Sequence, residues 1–200
     1  MRLRFVLPAL ALAVVTLGAQ AQISLAQAQI GLYLNPVATR ISVSSPDSGP
    51  FAFLGDNTTS RFFGGVAMGG YYDFLHQPGL DFGVDIRDTL VHGNNASLNT
   101  FMVAARVTRP MKYRLRPYAQ LGIGAGSSKA EHTDVRTTKA EFGVFVGMDY
   151  ALNRHVDFRA IELGYGSVTP ASSAIYNPQL PLPTATLINI SSGFVFRFGK

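Results

Sequence analysis

The sequence predicts an all-β protein, an eight-stranded antiparallel transmembrane β-barrel of up-and-down topology. Three observations carry that prediction. Strand-length segments alternate apolar residues with small or charged ones, the connections between them alternate in length, and no segment has a convincing helical period. The clearest segment is Leu80-Asp81-Phe82-Gly83-Val84-Asp85-Ile86-Arg87. Successive side chains of a strand point to opposite faces. Leu80, Phe82, Val84 and Ile86 therefore share one face, and Asp81, Gly83, Asp85 and Arg87 the other.

The chain opens with Arg2 and Arg4, an apolar run from Phe5 to Leu17 and then small residues. This is the three-part pattern of a signal peptide, and the run is too short to cross a bilayer as a helix. Ala19-Gln20-Ala21 offers a cleavage site that would make residues 1–21 the leader. Ala26-Gln27-Ala28 offers an alternative after residue 28, farther from the apolar run. The barrel is expected over residues 29–200.

The first strand should run from about Gln29 to Ser44, with a bulge at Asn35-Pro36 because proline lacks an N–H. The second, Arg61 to Phe74, sets Phe62, Val66, Met68, Tyr72 and Phe74 against Gly65, Ala67, Gly69, Tyr71 and Asp73. The third is the segment quoted above. The fourth, Leu98 to Thr108, sets Phe101, Val103, Ala105 and Val107 against Thr100, Met102, Ala104 and Arg106. The fifth, Arg116 to Gly126, opposes Ala119, Leu121 and Ile123 to Tyr118, Gln120, Gly122 and Gly124.

In the sixth, Phe142, Val144, Val146, Met148 and Tyr150 oppose Glu141, Gly143, Phe145, Gly147 and Asp149. The seventh starts Val156-Asp157-Phe158-Arg159, slips by one at Ala160, and continues with Ile161, Leu163 and Tyr165 against Glu162 and Gly164. The eighth, Thr184 to Phe198, sets Ile188, Ile190, Phe194, Phe196 and Phe198 against Asn189, Ser191, Gly193 and Arg197. Connections near residues 75–79, 109–115 and 151–155 are short. Those near 45–60, 92–97, 127–138 and 167–183 are mostly longer and polar or rich in Pro, Gly and Ser. Such alternation suits tight turns at one rim and looser loops at the other.

Volume decides which face looks inward. An eight-stranded barrel has room for side chains or one small ligand. Phe62, Phe74, Phe82, Phe101, Phe142, Phe158 and Phe194 together would overfill it. With the apolar face toward lipid, the glycines line the crowded interior, and a closed barrel satisfies every backbone polar group. Asp81, Asp85, Glu141, Asp149, Asp157 and Glu162 then share the lumen with Arg87, Arg106, Arg159 and Arg197. Buried charges are costly unless paired, so this mixed set reads as a salt-bridged structural plug rather than a solute path. Asp88 falls on the lipid face, and the third strand is expected to be leaving the membrane there.

Removing Arg2 and Arg4 from the 17 basic residues leaves 15 against 12 acidic, too mild and too scattered to suggest nucleic acid. Arg109, Lys112, Arg114 and Arg116 read as a solvated turn. With no cysteine, disulfides and thiolate metal sites are excluded. Gly122-Ile123-Gly124-Ala125-Gly126 lacks the helix and lysine of a nucleotide loop. His76, His92, His132 and His155 lack metal-ligand spacing and read as solvated loop residues. No cofactor is implied. Asn57-Thr58-Thr59 and Asn95-Ala96-Ser97 match a glycosylation pattern expected to be idle in a bacterium.

The eight-strand plan, the leader and the aromatic last strand resemble the small outer-membrane barrels of Gram-negative bacteria. These are the relatives of the OmpA membrane domain and OmpX, the outer-membrane protein β-barrel family. The resemblance spans roughly Gln29 to Lys200. It implies an outer-membrane location, contact with membrane lipid and lipopolysaccharide, and recognition of the final strand (Phe194, Phe196, Phe198) by the barrel-assembly machinery. Members usually end on an aromatic residue, whereas here Gly199-Lys200 follows Phe198.

The function expected is non-enzymatic, structural or surface-interacting. A lipid A deacylase or acyltransferase is the enzymatic alternative, with Ser127, Ser128, Glu131 and His132 as its only local candidates. A narrow pore is a further alternative. So is an adhesin or receptor using Phe51, Phe53, Leu54, Ile175, Tyr176, Leu180 and Leu182 of the long loops to bind a surface ligand.

Overall fold

The computed structural model describes residues 28–199 except 50, 94, 131–133, 135 and 178. The proposed leader and its cleavage sites therefore lie outside the described residues. Eight antiparallel strands close into a ring in sequence order. They are β1 (Gln29–Asp47), β2 (Thr58–Gln77), β3 (Leu80–Gly93), β4 (Ala96–Thr108), β5 (Leu115–Lys129), β6 (Arg136–Ala151), β7 (Val156–Val168) and β8 (Ala185–Gly199). One helical turn, α1 (Ser173–Tyr176), interrupts the β7–β8 loop, and a 3₁₀ turn at Lys112–Arg114 joins β4 to β5.

Alternation dictates the inside and outside of this ring, and every predicted face is observed. Registered partners traced from Ile30 through Tyr72, Val84, Ala105, Leu121, Val144, Tyr165 and Ile188 return to β1 at Arg40, ten residues farther on. That stagger tilts the strands against the barrel axis. Outward-facing Leu32, Leu34, Phe101, Leu121, Ile123, Phe142, Val146, Ile190 and Phe196 are exposed and form a continuous apolar belt.

Local chemistry sets the joints. Pro78-Gly79 joins β2 to β3, with Gly79 at φ 86°, the position where a type II turn requires glycine. The β3–β4 connection is only two residues, shorter than the loop expected from His92 to Ser97, with Asn95 at φ 64°. Asparagine tolerates the left-handed conformation that tight hairpins demand, so polar loop-like composition concealed a tight turn. Bulges fall at Ala160, as its sequence slip suggests, and at Phe74.

The bulge expected at Asn35-Pro36 is not there. Burial alternates through it, and the β1–β8 ladder pauses between Leu34 and Val37 without changing register. Pro36 points outward at that pause, where a missing N–H is tolerated. Asp88 lies on the outward face, as its parity requires, and β3 stays paired beyond it to Gly93.

Candidate functional site in the barrel lumen

Strand tilt and alternation bring inward side chains from all eight strands into stacked layers. At the short-turn rim, Arg197 Nε lies 2.8 Å from Asp157, and Arg116 lies 3.6 Å from Asp157 and 3.8 Å from Asp81. Arg116 also donates to Gln29. His76 Nδ1 approaches Asp81 at 2.7 Å. Arg116 and His76 are thus drawn inward rather than solvated as their turn-like contexts suggested.

The next layer is built on two guanidinium groups sandwiched by rings. Arg106 lies 4.1 Å from the Tyr71 ring and 4.0 Å from the Tyr118 ring. It also approaches Asp149 at 3.5 Å and Asp73 at 3.8 Å. Arg159 lies between Tyr33 and Tyr118 at 4.6 and 4.8 Å, bonds Asp149 at 2.9 Å and reaches Glu162 at 3.2 Å. A guanidinium is weakly hydrated and stacks on aromatic faces, so this is an environment that suits arginine in particular. Glycine makes room for the rings. A Cβ on Gly31 would overlap the Tyr71 ring, and one on Gly147 would overlap Tyr118.

Above them Arg87 grips Glu162 with two bonds of 2.8 and 2.7 Å, the fork geometry of a strong pair. It also donates to Gln120 at 3.0 Å and Tyr33 at 3.1 Å, approaches Asp85 at 3.7 Å and covers the Phe145 ring at 4.1 Å. Tyr33 donates to Asp85 at 2.9 Å, and Tyr118 and Ser191 donate to Glu162 at 2.6 and 3.1 Å.

Nine of the ten predicted lumen charges meet in these layers, joined by Asp73 and Arg116. Glu141 does not join them. It faces inward and is buried, with Thr100 as its hydrogen-bond partner, but Oε2 has no partner and no cation reaches it among the described residues. The reason is its position on β6, above the charged layers.

The upper half of the interior is apolar, which the strand alternation did not foretell. Val37, Ile41, Phe63, Ala67, Val91, Leu98, Val168 and Leu187 form one cluster with Phe53 and Leu54 from the β1–β2 loop. Phe53 stacks on Phe63 with ring centroids 5.5 Å apart. These two loop residues are a lid folded into the mouth, not a displayed surface. Asp47 ties the lid loop to the β7–β8 loop, accepting from Ser172 Oγ at 2.6 Å and Ser173 N at 3.1 Å. Ser128 Oγ accepts from Ala171 N at 2.6 Å.

That last bond bears on the catalytic alternative. Ser128 faces inward and holds a loop, and Ser127 faces outward on the same strand. Glu131 and His132 lie outside the described residues. Around the outer rim, His92, Ser97, Lys129 and Arg136 occupy registered positions on β3 to β6. Lys129 bonds Asp134 at 2.9 Å, which holds that carboxyl below its usual range. Arg136 is exposed.

A closed eight-stranded ring with an apolar belt outside and paired charges inside defines a transmembrane β-barrel of the outer-membrane class. The sequence matches the outer membrane protein beta-barrel domain over residues 7–181, and the chain belongs to that family. It is a protein of the Gram-negative outer membrane. Neisserial surface protein A has a similar solved structure, at 16% identity and TM-score 0.55, covering 86% of this chain and 97% of that one. Ail, the attachment invasion locus protein of Yersinia pestis, is similar at 12% identity and TM-score 0.51, covering 86% and 99%. Ail has also been solved with the heparin analogue sucrose octasulfate, at TM-score 0.52 and 12% identity over 86% of this chain and 99% of that one. No curated protein matches the sequence.

Proposed function

We propose that this protein is a non-enzymatic outer-membrane barrel with a sealed lumen, acting at the cell surface through its loops and outer rim. The observation that carries this reading is the column of Arg87, Arg106 and Arg159 between Tyr33, Tyr71, Tyr118 and Phe145. Each guanidinium lies within 5.5 Å of two of these rings and beside a carboxylate. Such a column occupies the cross-section a solute would need, and the Phe53–Leu54 lid covers it from outside.

The names of the similar surface and attachment proteins support a surface role. The row of His92, Lys129 and Arg136 supports contact with anionic groups of lipopolysaccharide. The final strand, with Phe194, Phe196 and Phe198 facing lipid, suits presentation to the barrel-assembly machinery.

Two measurements test the reading. Purified protein in planar bilayers should give no ion conductance, and stepwise conductance would replace the plug with a pore. Lipid A from cells with and without expression should have identical mass spectra. A gained or lost acyl chain that disappears in His132→Ala would make the protein an enzyme.

A further inference from the structure

The cations of the β4–β5 turn are used by neither the plug nor the loops of the opposite rim. Arg109, Lys112 and Arg114 are all exposed there, and Arg154 is exposed on the neighbouring β6–β7 turn. The two turns sit side by side, because the β5–β6 ladder begins at the pair Leu115 and Tyr150. Every acid at this rim is turned the other way. Asp73, Asp149 and Asp157 are fully buried in the lumen, and Asp81 is held by His76 and Arg116. The ion pairs of the rim are made by Arg116, Arg197 and His76, so among the described residues the four outer cations have no carboxylate partner. The loop-side rim is different, with exposed Asp56 and Asp134 among its cations.

The backbone of the turn supplies a second observation. Tyr113 and Arg114 are both left-handed, at φ 67° and 64°, a conformation that suits glycine or asparagine and strains a bulky residue. Packing does not offset that strain, since Tyr113 is 87% exposed. A costly conformation at an exposed tip points to what its side chains present rather than to folding. Aromatic residues fix the depth. Tyr150, Phe158 and Phe194 are registered neighbours across β6, β7 and β8, and all three face outward. Such a row marks the membrane interface, and the cations lie on the turns just beyond it.

We propose that the β4–β5 turn, with Arg154 beside it, binds the headgroups of anionic phospholipids in the leaflet facing the periplasm, the side to which the short turns of such barrels point. Guanidinium and ammonium groups hold phosphate diesters by charge and by donated hydrogen bonds, and each cation near an anionic membrane surface adds about fivefold to the affinity. Tyr113 and the half-exposed Met111 offer the apolar surface that enters between headgroups. A soluble polyanion would meet the same cations, but the aromatic row holds this turn at the level of the phosphates. The site does not depend on the surface role of the opposite loops.

Native mass spectrometry tests this on protein purified from outer membranes, in detergent doped equally with phosphatidylglycerol and phosphatidylcholine of the same chains. The folded barrel should retain phosphatidylglycerol in preference. Arg114→Gln should lower that preference by about fivefold, whereas Arg136→Gln at the opposite rim should leave it unchanged. Tyr113→Asn combined with Arg114→Gly removes the backbone strain, so heat-modifiable mobility should persist to at least the wild-type temperature while the preference falls. That variant separates lost binding from misfolding. The proposal is overturned if the wild type takes both lipids equally, if Arg114→Gln and Arg136→Gln have equal effects, or if equimolar inorganic phosphate displaces the lipid.

Discussion

Arg159 is fully buried, bonds Asp149 and Glu162, and lies between two tyrosine rings. Arg159→Ala would leave buried Asp149 with only the more distant Arg106, at 3.5 Å, and would take one of two arginines from Glu162. Removing one partner of a buried pair costs about 3–5 kcal/mol. The variant should therefore lose its heat-modifiable mobility at a clearly lower temperature than the wild type. Glu141→Gln provides the contrast. It leaves no cation behind, so its transition should stay within about 1 kcal/mol of wild type. Equal effects from the two would mean that the charged layers contribute no more than an isolated acid. Most of this network is legible in the sequence because parity alone puts a charge inside or outside. Parity places Asp73 inside as well, just before the Phe74 bulge, whereas Arg116 is hidden among turn cations. The tyrosines carry no signal of their own, since a tyrosine suits both a membrane interface and a guanidinium stack.

The strands were readable wherever lipid imposed a period of two, as at Leu80–Arg87. The lid was not, because Ala52-Phe53-Leu54 has no period and its contacts lie on Phe63 and its neighbours, distant strands no local pattern can name. Its attachment is also of a different kind. Loop hydrogen bonds such as Ala52 N to Gly49 O and Gly49 N to Asp56 replace a sheet ladder, and Asp47 holds the loop to its neighbour. Segments held in this way open locally without unfolding the whole. Asp47→Ala should accordingly leave the barrel's heat-modifiable transition near wild type while making residues 48–57 cleavable by protease added to intact cells. Phe53→Ala should do the same and increase binding of an apolar fluorescent dye to the uncovered cup. A loop equally resistant in both variants would mean that backbone pairing, not the latch or the buried ring, keeps the mouth closed.

At the scale of the molecule, closure and tilt turn a list of alternating segments into a belt with two rims. The rims explain why one strand changes character along its length. On β5, Leu121 lies within the belt beside Ala105 and Val144, whereas Ser127, on the same outward face, lies beside Asn99 and Thr138. The cost of a charge on the lipid face of such barrels depends on depth, about 2–4 kcal/mol for lysine or arginine near the bilayer middle and about 0–1 kcal/mol near an interface. Each measured against its own alanine variant, Leu121→Lys and Ser127→Lys add the same charge to the same strand and face, so the difference between them reports depth. Folding into lipid vesicles, followed by denaturant titration, should show Leu121→Lys destabilised by the larger amount and Ser127→Lys close to its alanine reference. Equal losses would place both positions at one level and contradict the belt. A larger loss at Ser127 would move the hydrocarbon toward the loop rim and put the exposed Arg136 inside it, where a charge is costly.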